Sequence, residues 1–296
     1  MGYVRPHYRA GSFYPGSVPE CTKLLEACRR EEAELPADIL GKAIYGGIVP
    51  HAGWIYSGPT ALLVWDALQQ SAAPPETVLI FATAHRSEVA VPSLQREGAW
   101  KIPGAEVAID AELAAACLGE AGPELLIDRP EAHAGDHAIE VQLPMLRQAL
   151  PEARLVPVAV PHDCDGEALG LAAARAVTKL KRNAVAMAST DLTHYGPNYY
   201  DFAPQGVGAA AHAWSKDVND RAFLDRALAL DARGAAETGE SDASACGPQA
   251  AAAAIAFARA RGASRGVLLE HKTSYERRPS VGAPSDFVGY AAVVFL

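Results

Sequence analysis

Short, strongly apolar runs recur along this chain, and amphipathic stretches of helical period lie between them. The runs at 43–50, 77–83, 154–160, 183–190, 266–271 and 287–295 have the length and composition of strands. The intervening stretches at 59–70, 111–119, 139–150, 166–180, 207–230 and 247–261 read as helices. Strands that alternate with helices favour an α/β fold with a mainly parallel or mixed central sheet flanked by helices. No internal repeat, long linker or break in composition divides residues 1–296, so the expectation is one domain.

Charge and leader sequence narrow the function classes. With 26 basic residues against 35 acidic ones the net charge is −9, and no basic stripe exists to displace phosphate counterions, so nucleic acid is not expected as a partner. The N-terminal MGYVRPHYRAGSFYPGS lacks the apolar core of a signal peptide, and Pro6 stands where a myristoylation signal has Ser or Thr. The apolar runs are too short to span a bilayer, so no membrane association is expected and the chain reads as cytoplasmic. The five cysteines form no CxxC pair and leave an odd count, which argues against a disulfide framework.

One positional regularity points to a site. His51 follows the run AIYGGIVP, His85 follows TVLIFATA, and Asp191 and His194 follow NAVAMAST. All lie where an expected strand gives way to a loop, and open α/β sheets bind ligands at the carboxyl ends of their strands. Each histidine alone also reads as a loop residue bonded to backbone. Asp191 and His194 share a face if the chain turns helically after the strand. The carboxylate then orients and activates an acid/base histidine; otherwise Asp191 caps a turn.

Cys246 is the most informative cysteine. In SDASACGPQAAAAAI, Ser244 reads as an N-cap with Cys246 in the first helical turn, where a helix N-terminus favours thiolate; the plain alternative is a small, buried, inert thiol. His133, His137 and Glu140 form a further cluster in EAHAGDHAIEVQLPML. Gly135 and Asp136 make that segment a loop rather than a chelating helix. His137 and Glu140 therefore read as supporting or substrate-contacting groups.

Taken together, RPHYRAGSFYP, VPHAGWIYSG, DHAIEVQLPML, STDLTHYG and ACGPQAAAAAI resemble the Memo family, whose bacterial members carry the label AmmeMemoRadiSam system protein B. The resemblance runs over essentially the whole chain. It implies the fold of class III extradiol dioxygenases and a pocket in which His51, His85 and Cys246 are metal ligands, with His194 and Asp191 as catalytic neighbours. It also implies Ammecr-type and radical SAM proteins as partners acting in trans. One departure stands out: the family commonly leads into its second histidine with Gly-Pro-Ser, whereas this chain reads Ala82-Thr83-Ala84.

Two histidines and a thiolate make a softer site than two histidines and a carboxylate, favouring Fe(II), Cu(I) or Zn(II) over Mg(II) or Ca(II). Three readings follow. One is a metal-dependent redox or metal-handling role. A second is extradiol-type ring opening on a small aromatic substrate, opposed by the sensitivity of a thiolate to oxygen. The third is a peptide- or protein-binding module that uses the same cleft, walled by Trp54, Tyr56 and Tyr195. The expected occupant of the metal pocket itself is a small-molecule or peptide ligand. No HExxH signature supports a zinc hydrolase.

Overall fold

The computed structural model describes residues 2–85, 88–199, 201–279 and 282–296. Strands Gly46–Val49, Ala184–Ser189, Thr77–Thr83 and Arg154–Val160 lie side by side in that order and all run parallel. Strand Phe287–Phe295 adds antiparallel to Gly46–Val49 and is followed outward by Gly266–Thr273, also antiparallel. On the other flank Ser93–Leu94 pairs antiparallel with Arg154–Val160 and parallel with Ile127–Asp128. The sheet is therefore mixed around a parallel centre, the α/β class expected.

Its central strands are buried along their whole length, Thr77–Thr83 and Phe287–Phe295 included. Such strands need helices on both faces, which is why they read as continuous apolar runs rather than alternating ones. Helix Pro248–Arg261, more than half alanine, packs over strands Gly46–Val49, Thr77–Thr83 and Ala184–Ser189. Helix Gly166–Leu180 lies against it at backbone contact. A Cβ on Gly166 or Gly170 would collide with the carbonyl oxygens of Gln249 and Ala253. Small residues on both helices permit this approach and leave no room for substitution.

Several helices differ from the sequence expectation for identifiable reasons. The helix expected at 59–70 begins earlier and spans Trp54–Gln69, with Pro59 inside it. The stretch at 139–150 is a 3₁₀ turn, Glu140–Gln142, leading into Leu143–Ala149 with proline in the first turn. The stretch at 207–230 is Ala209–Trp214, a π turn at Ser215–Asp220, and Arg221–Leu228. That π turn brings Asp220 under Thr193 and His271: its carboxylate accepts from the Thr193 backbone N–H at 3.0 Å and lies 2.8 Å from His271 Nε2. Elements without a clear sequence signal include a small sheet formed by Val4–Arg5, Ala99–Ile102 and Ala105–Ala108. Among the described residues, no helix is long and apolar enough to cross a membrane.

Candidate metal centre

The parallel strands deliver their loops to one edge of the sheet. In sheet order, His51 follows Gly46–Val49, Asp191 follows Ala184–Ser189, and His85 follows Thr77–Thr83. Residue His137 arrives from the loop before the 3₁₀ turn Glu140–Gln142. The ligand-capable atoms of His51, His85 and His137 all lie within 4.8 Å of one another. The rings pack as a set. His137 stacks on His85 at 4.4 Å, and His51 meets His85 and His137 edge-on at 5.2 and 5.1 Å. On its other side His137 lies against Phe13, also at 4.4 Å.

Neighbouring groups fix which nitrogen of two rings carries hydrogen. The Ser189 hydroxyl donates its single proton to the Ala138 carbonyl at 2.6 Å, so it can only accept from His51 Nδ1 at 3.1 Å. The lone pair of His51 therefore sits on Nε2. His85 Nδ1 lies 3.2 Å from the Asp136 carboxylate, which also accepts the His85 backbone N–H at 3.0 Å. In its neutral form His85 likewise offers Nε2. A carboxylate or hydroxyl holding the far nitrogen is the usual support for a metal-binding imidazole.

Burial and mutual repulsion act on two of the three imidazoles. Burial, followed by the charge of His85, holds the His51 imidazole well below the usual histidine range. Burial, then His51 and His85, brings His137 down to about 3. Burial opposes ionisation of Asp136, but the hydrogen bond and charge of His85, with the Ala138 and His85 N–H groups, outweigh it. Its carboxyl is held well below the usual carboxylate range. At neutral pH, His51 and His137 thus present unprotonated nitrogens, the form that ligates metal.

Cys246 stands beside this set rather than within it: the mutually close ligand atoms are those of the three histidines, with His137 where the sequence pointed to Cys246. The Cys246 Sγ lies 3.3 Å from His51 Nε2 and accepts the Asp191 backbone N–H at 3.3 Å. The expectation of a thiolate favoured by a helix N-terminus is corrected here. The helix begins at Pro248 with Gly247 as its N-cap, and Ser244 instead donates to the Thr238 carbonyl. Burial, and next the charge of Asp191, pushes the Cys246 thiol up to about 12. Without a metal the sulfur is a thiol.

Asp191 and His194 both face the cavity in front of the imidazoles, which has a volume of about 780 Å³. They do not share a helical turn, because the chain passes straight into strand His194–Tyr195. Asp191 accepts the His51 backbone N–H at 2.7 Å, and burial raises its carboxyl. His194 donates from Nδ1 to the Leu192 carbonyl at 3.1 Å, leaving Nε2 as its acceptor nitrogen.

The remaining candidates separate. Tyr56 lines the cavity with Phe13. Trp54 is buried beneath it, donating to the Val141 carbonyl and stacking on Tyr14. Tyr195 is buried against Phe287 and donates to the Gly206 carbonyl. Neither of these two lines the cavity. Glu140 is also remote from it and clamps the N-terminal motif RPHYRAGSFYP. It pairs with Arg5 at 2.7 Å and accepts the backbone N–H groups of Tyr8 and Arg9 and the Tyr14 hydroxyl. Arg5, lying over the Trp100 ring, in turn holds the carbonyls of His133 and Asp136. The clamp thereby sets the loop that carries Asp136 and His137.

Glu140→Gln leaves Arg5 buried without a counter-charge, so a loss of about 3 kcal/mol is expected. Denaturant unfolding checks it; a loss under about 1 kcal/mol would remove the clamp from the fold's main supports. Sequence reasoning missed Asp136, Ser189 and Phe13 as partners of the imidazoles. Only the position of Asp136 between two histidines hinted at its role.

A family model described as Memo-like protein matches residues 5–294. The chain is 38% identical over 294 residues to a MEMO1 family protein of Methanopyrus kandleri, covering 97% of this chain and 96% of that one. It is 33% identical to a MEMO1 family protein of Thermococcus onnurineus, covering 97% of each. It is 34% identical to one of Methanothermobacter thermautotrophicus, covering 95% and 96%. A solved structure of an uncharacterized Escherichia coli K12 protein overlays with a TM-score of 0.48 at 11% identity, covering 83% of this chain and 99% of that one. That overlay is too loose to bear on the site.

Proposed function

The chain belongs to the Memo-like family, and from that premise we propose that its histidine cluster holds a redox-active transition metal, Fe(II) or Cu(I), in a redox or metal-handling role. The observation that carries this is the convergence of three imidazoles, two with the far nitrogen already engaged, beside a cysteine sulfur. His51 and His85 would bind through Nε2, with Cys246 as third donor and His137 as the adjoining nitrogen. The donor set fits: nitrogen with sulfur suits Fe(II), Cu(I) and Zn(II) and excludes the hard cations. When bound, the metal supplies electron transfer and open coordination positions. The protein supplies neutral nitrogens, a thiol that must release its proton on ligation, and a polar cavity wall.

Anaerobic titration of the reduced protein with Fe(II), Cu(I) and Zn(II) tests this. One equivalent of Fe(II) or Cu(I) is expected to bind tightly, and to be reversibly oxidised and reduced in place. Failure of the reduced protein to bind either ion would overturn the proposal, and binding of Zn(II) alone would overturn the redox part.

A second reading, extradiol-type oxygenation of a small aromatic compound, is favoured by His194 and Asp191 facing the same cavity as the imidazoles. His194 Nε2 would take and return the substrate's hydroxyl proton while Asp191 holds the His51 loop. Oxygen uptake by the Fe(II)-loaded protein over a panel of catechols decides it. Uptake that vanishes in His194→Phe supports this reading; a silent panel with iron bound sinks it.

A further inference from the structure

The imidazole cluster is approached by a second cavity. The first, of about 780 Å³, is lined by His51, His85, His137 and His194 and ends among Tyr56, Tyr199 and Arg278. The second, of about 600 Å³, shares His85 and His194 with it, but reaches Cys246, which the first does not line. Its outer wall holds His162, Asp163 and Glu240. Sheet order explains the placement. His162 and Asp163 follow strand Arg154–Val160, hydrogen-bonded neighbour of the strand that ends at His85, with Val160 paired to Thr83.

The two mouths differ in charge. Among the described residues, Asp163 and Glu240 are the charged groups lining the second cavity, and both are exposed. Glu240 is tethered by the Gln249 side-chain amide at 2.7 Å. The first cavity has both Arg278 and Asp286 in its wall and offers no such one-signed lining. Carboxylates at a cleft mouth raise the local concentration of cations. The imidazole of His162 at the mouth, then those of His194 and His85 further in, offer successive exchangeable ligands for a partly dehydrated ion.

We infer that the second cavity is the metal-loading port: a hydrated divalent or monovalent transition-metal cation enters past Asp163 and Glu240 to the Cys246 side of the cluster, leaving the first cavity to the organic ligand. This rests on the metal-binding reading above. It adds a division of labour: loading and ligand binding use separate routes, so a filled first cavity does not block metal exchange.

The test is the rate of loading, read with Co(II) alone as probe. Its absorption on binding nitrogen and sulfur ligands reports occupancy without any assay of activity. Stopped-flow association is compared for the unsubstituted protein, the double variant Asp163→Asn/Glu240→Gln, and Asp286→Asn, which removes one charge at the other mouth. The double variant is expected to load on the order of tenfold more slowly at low salt. Its equilibrium affinity should be retained, and the difference should fade at high ionic strength. Asp286→Asn should load at the unsubstituted rate.

An unchanged rate in the double variant overturns the port, as does equal slowing by Asp286→Asn. Affinity lost in step with the rate also overturns it, by making Asp163 and Glu240 resting ligands. If the unsubstituted protein does not bind Co(II) at all, the metal reading falls and the port falls with it. That pattern is distinct from binding with unaltered rates.

Discussion

His51→Ala is expected to lower affinity for Fe(II) or Cu(I) by at least about a thousandfold, more than the 10–100-fold typical of losing a supporting group behind a ligand. His51 is the hub of the cluster, with its ring in edge contact with His85 and His137 and its Nε2 3.3 Å from the Cys246 sulfur. It is also 1% exposed, so no water-facing side chain can swing in to replace it. Asp136→Asn, which weakens the hold on His85 Nδ1 while keeping its shape, should fall in the 10–100-fold range.

The third donor is decided by two further variants. Cys246→Ser should cost more for Cu(I) than for Zn(II), because the softer ion depends more heavily on sulfur. His137→Ala should cost less than Cys246→Ser. If His137→Ala costs more, the metal is held by three nitrogens and the thiol is a bystander. Anaerobic competition titrations measure all four. A thermal melt of each metal-free variant separates lost ligation from lost folding, since binding to the folded state alone raises the melting temperature in the unsubstituted protein.

How far the site was readable in the sequence follows from the range of each interaction. The strand-end histidines were legible because the apolar runs that precede them announce fully buried parallel strands, and a parallel sheet brings its carboxyl ends to one edge. The groups that orient them were not. Asp136 and His85 are separated by 51 residues, as are Ser189 and Ala138, and no local pattern couples such positions. Glu140 looked like a pocket residue for the same reason, since its partner Arg5 lies 135 positions away. Cys246 was misjudged electrostatically: a helix start was legible, but burial and the charge of Asp191 were not. The π turn at Ser215–Asp220 lies within a helical period that by itself promised one long helix.

Stability should fall steeply in acid, and His133 carries a measurable share. Burial, with the charge of Arg5, brings its imidazole down to about 3. Its ring lies against Trp100, and Nε2 has no hydrogen-bond partner among the described residues. The folded protein keeps this histidine neutral while the unfolded chain protonates it below about 6.5. The unfolded state then holds more protons, so stability is complete above about pH 6.5 and is lost as pH falls toward 3. At pH 4 the interval is about 2.5 units, or roughly 3 kcal/mol for His133 at about 1.4 kcal/mol per unit. His137, brought down to about 3 by burial, adds about as much in the same direction.

Two groups run the other way. Burial raises the carboxyls of Asp191 and of the half-exposed Glu32, the latter to about 7, so protonation of each favours the folded state as pH falls. Solvent screening reduces the Glu32 contribution, and neither group is touched by His133→Phe. Subtracting the two stability curves therefore isolates one proton. Denaturant midpoints at pH 7.5, 6, 5 and 4 should show the variant losing about 3 kcal/mol less than the unsubstituted protein between the extremes. Parallel curves would mean that His133 is protonated in the fold, and that the Nε2 facing Trp100 has found a partner that burial alone does not supply.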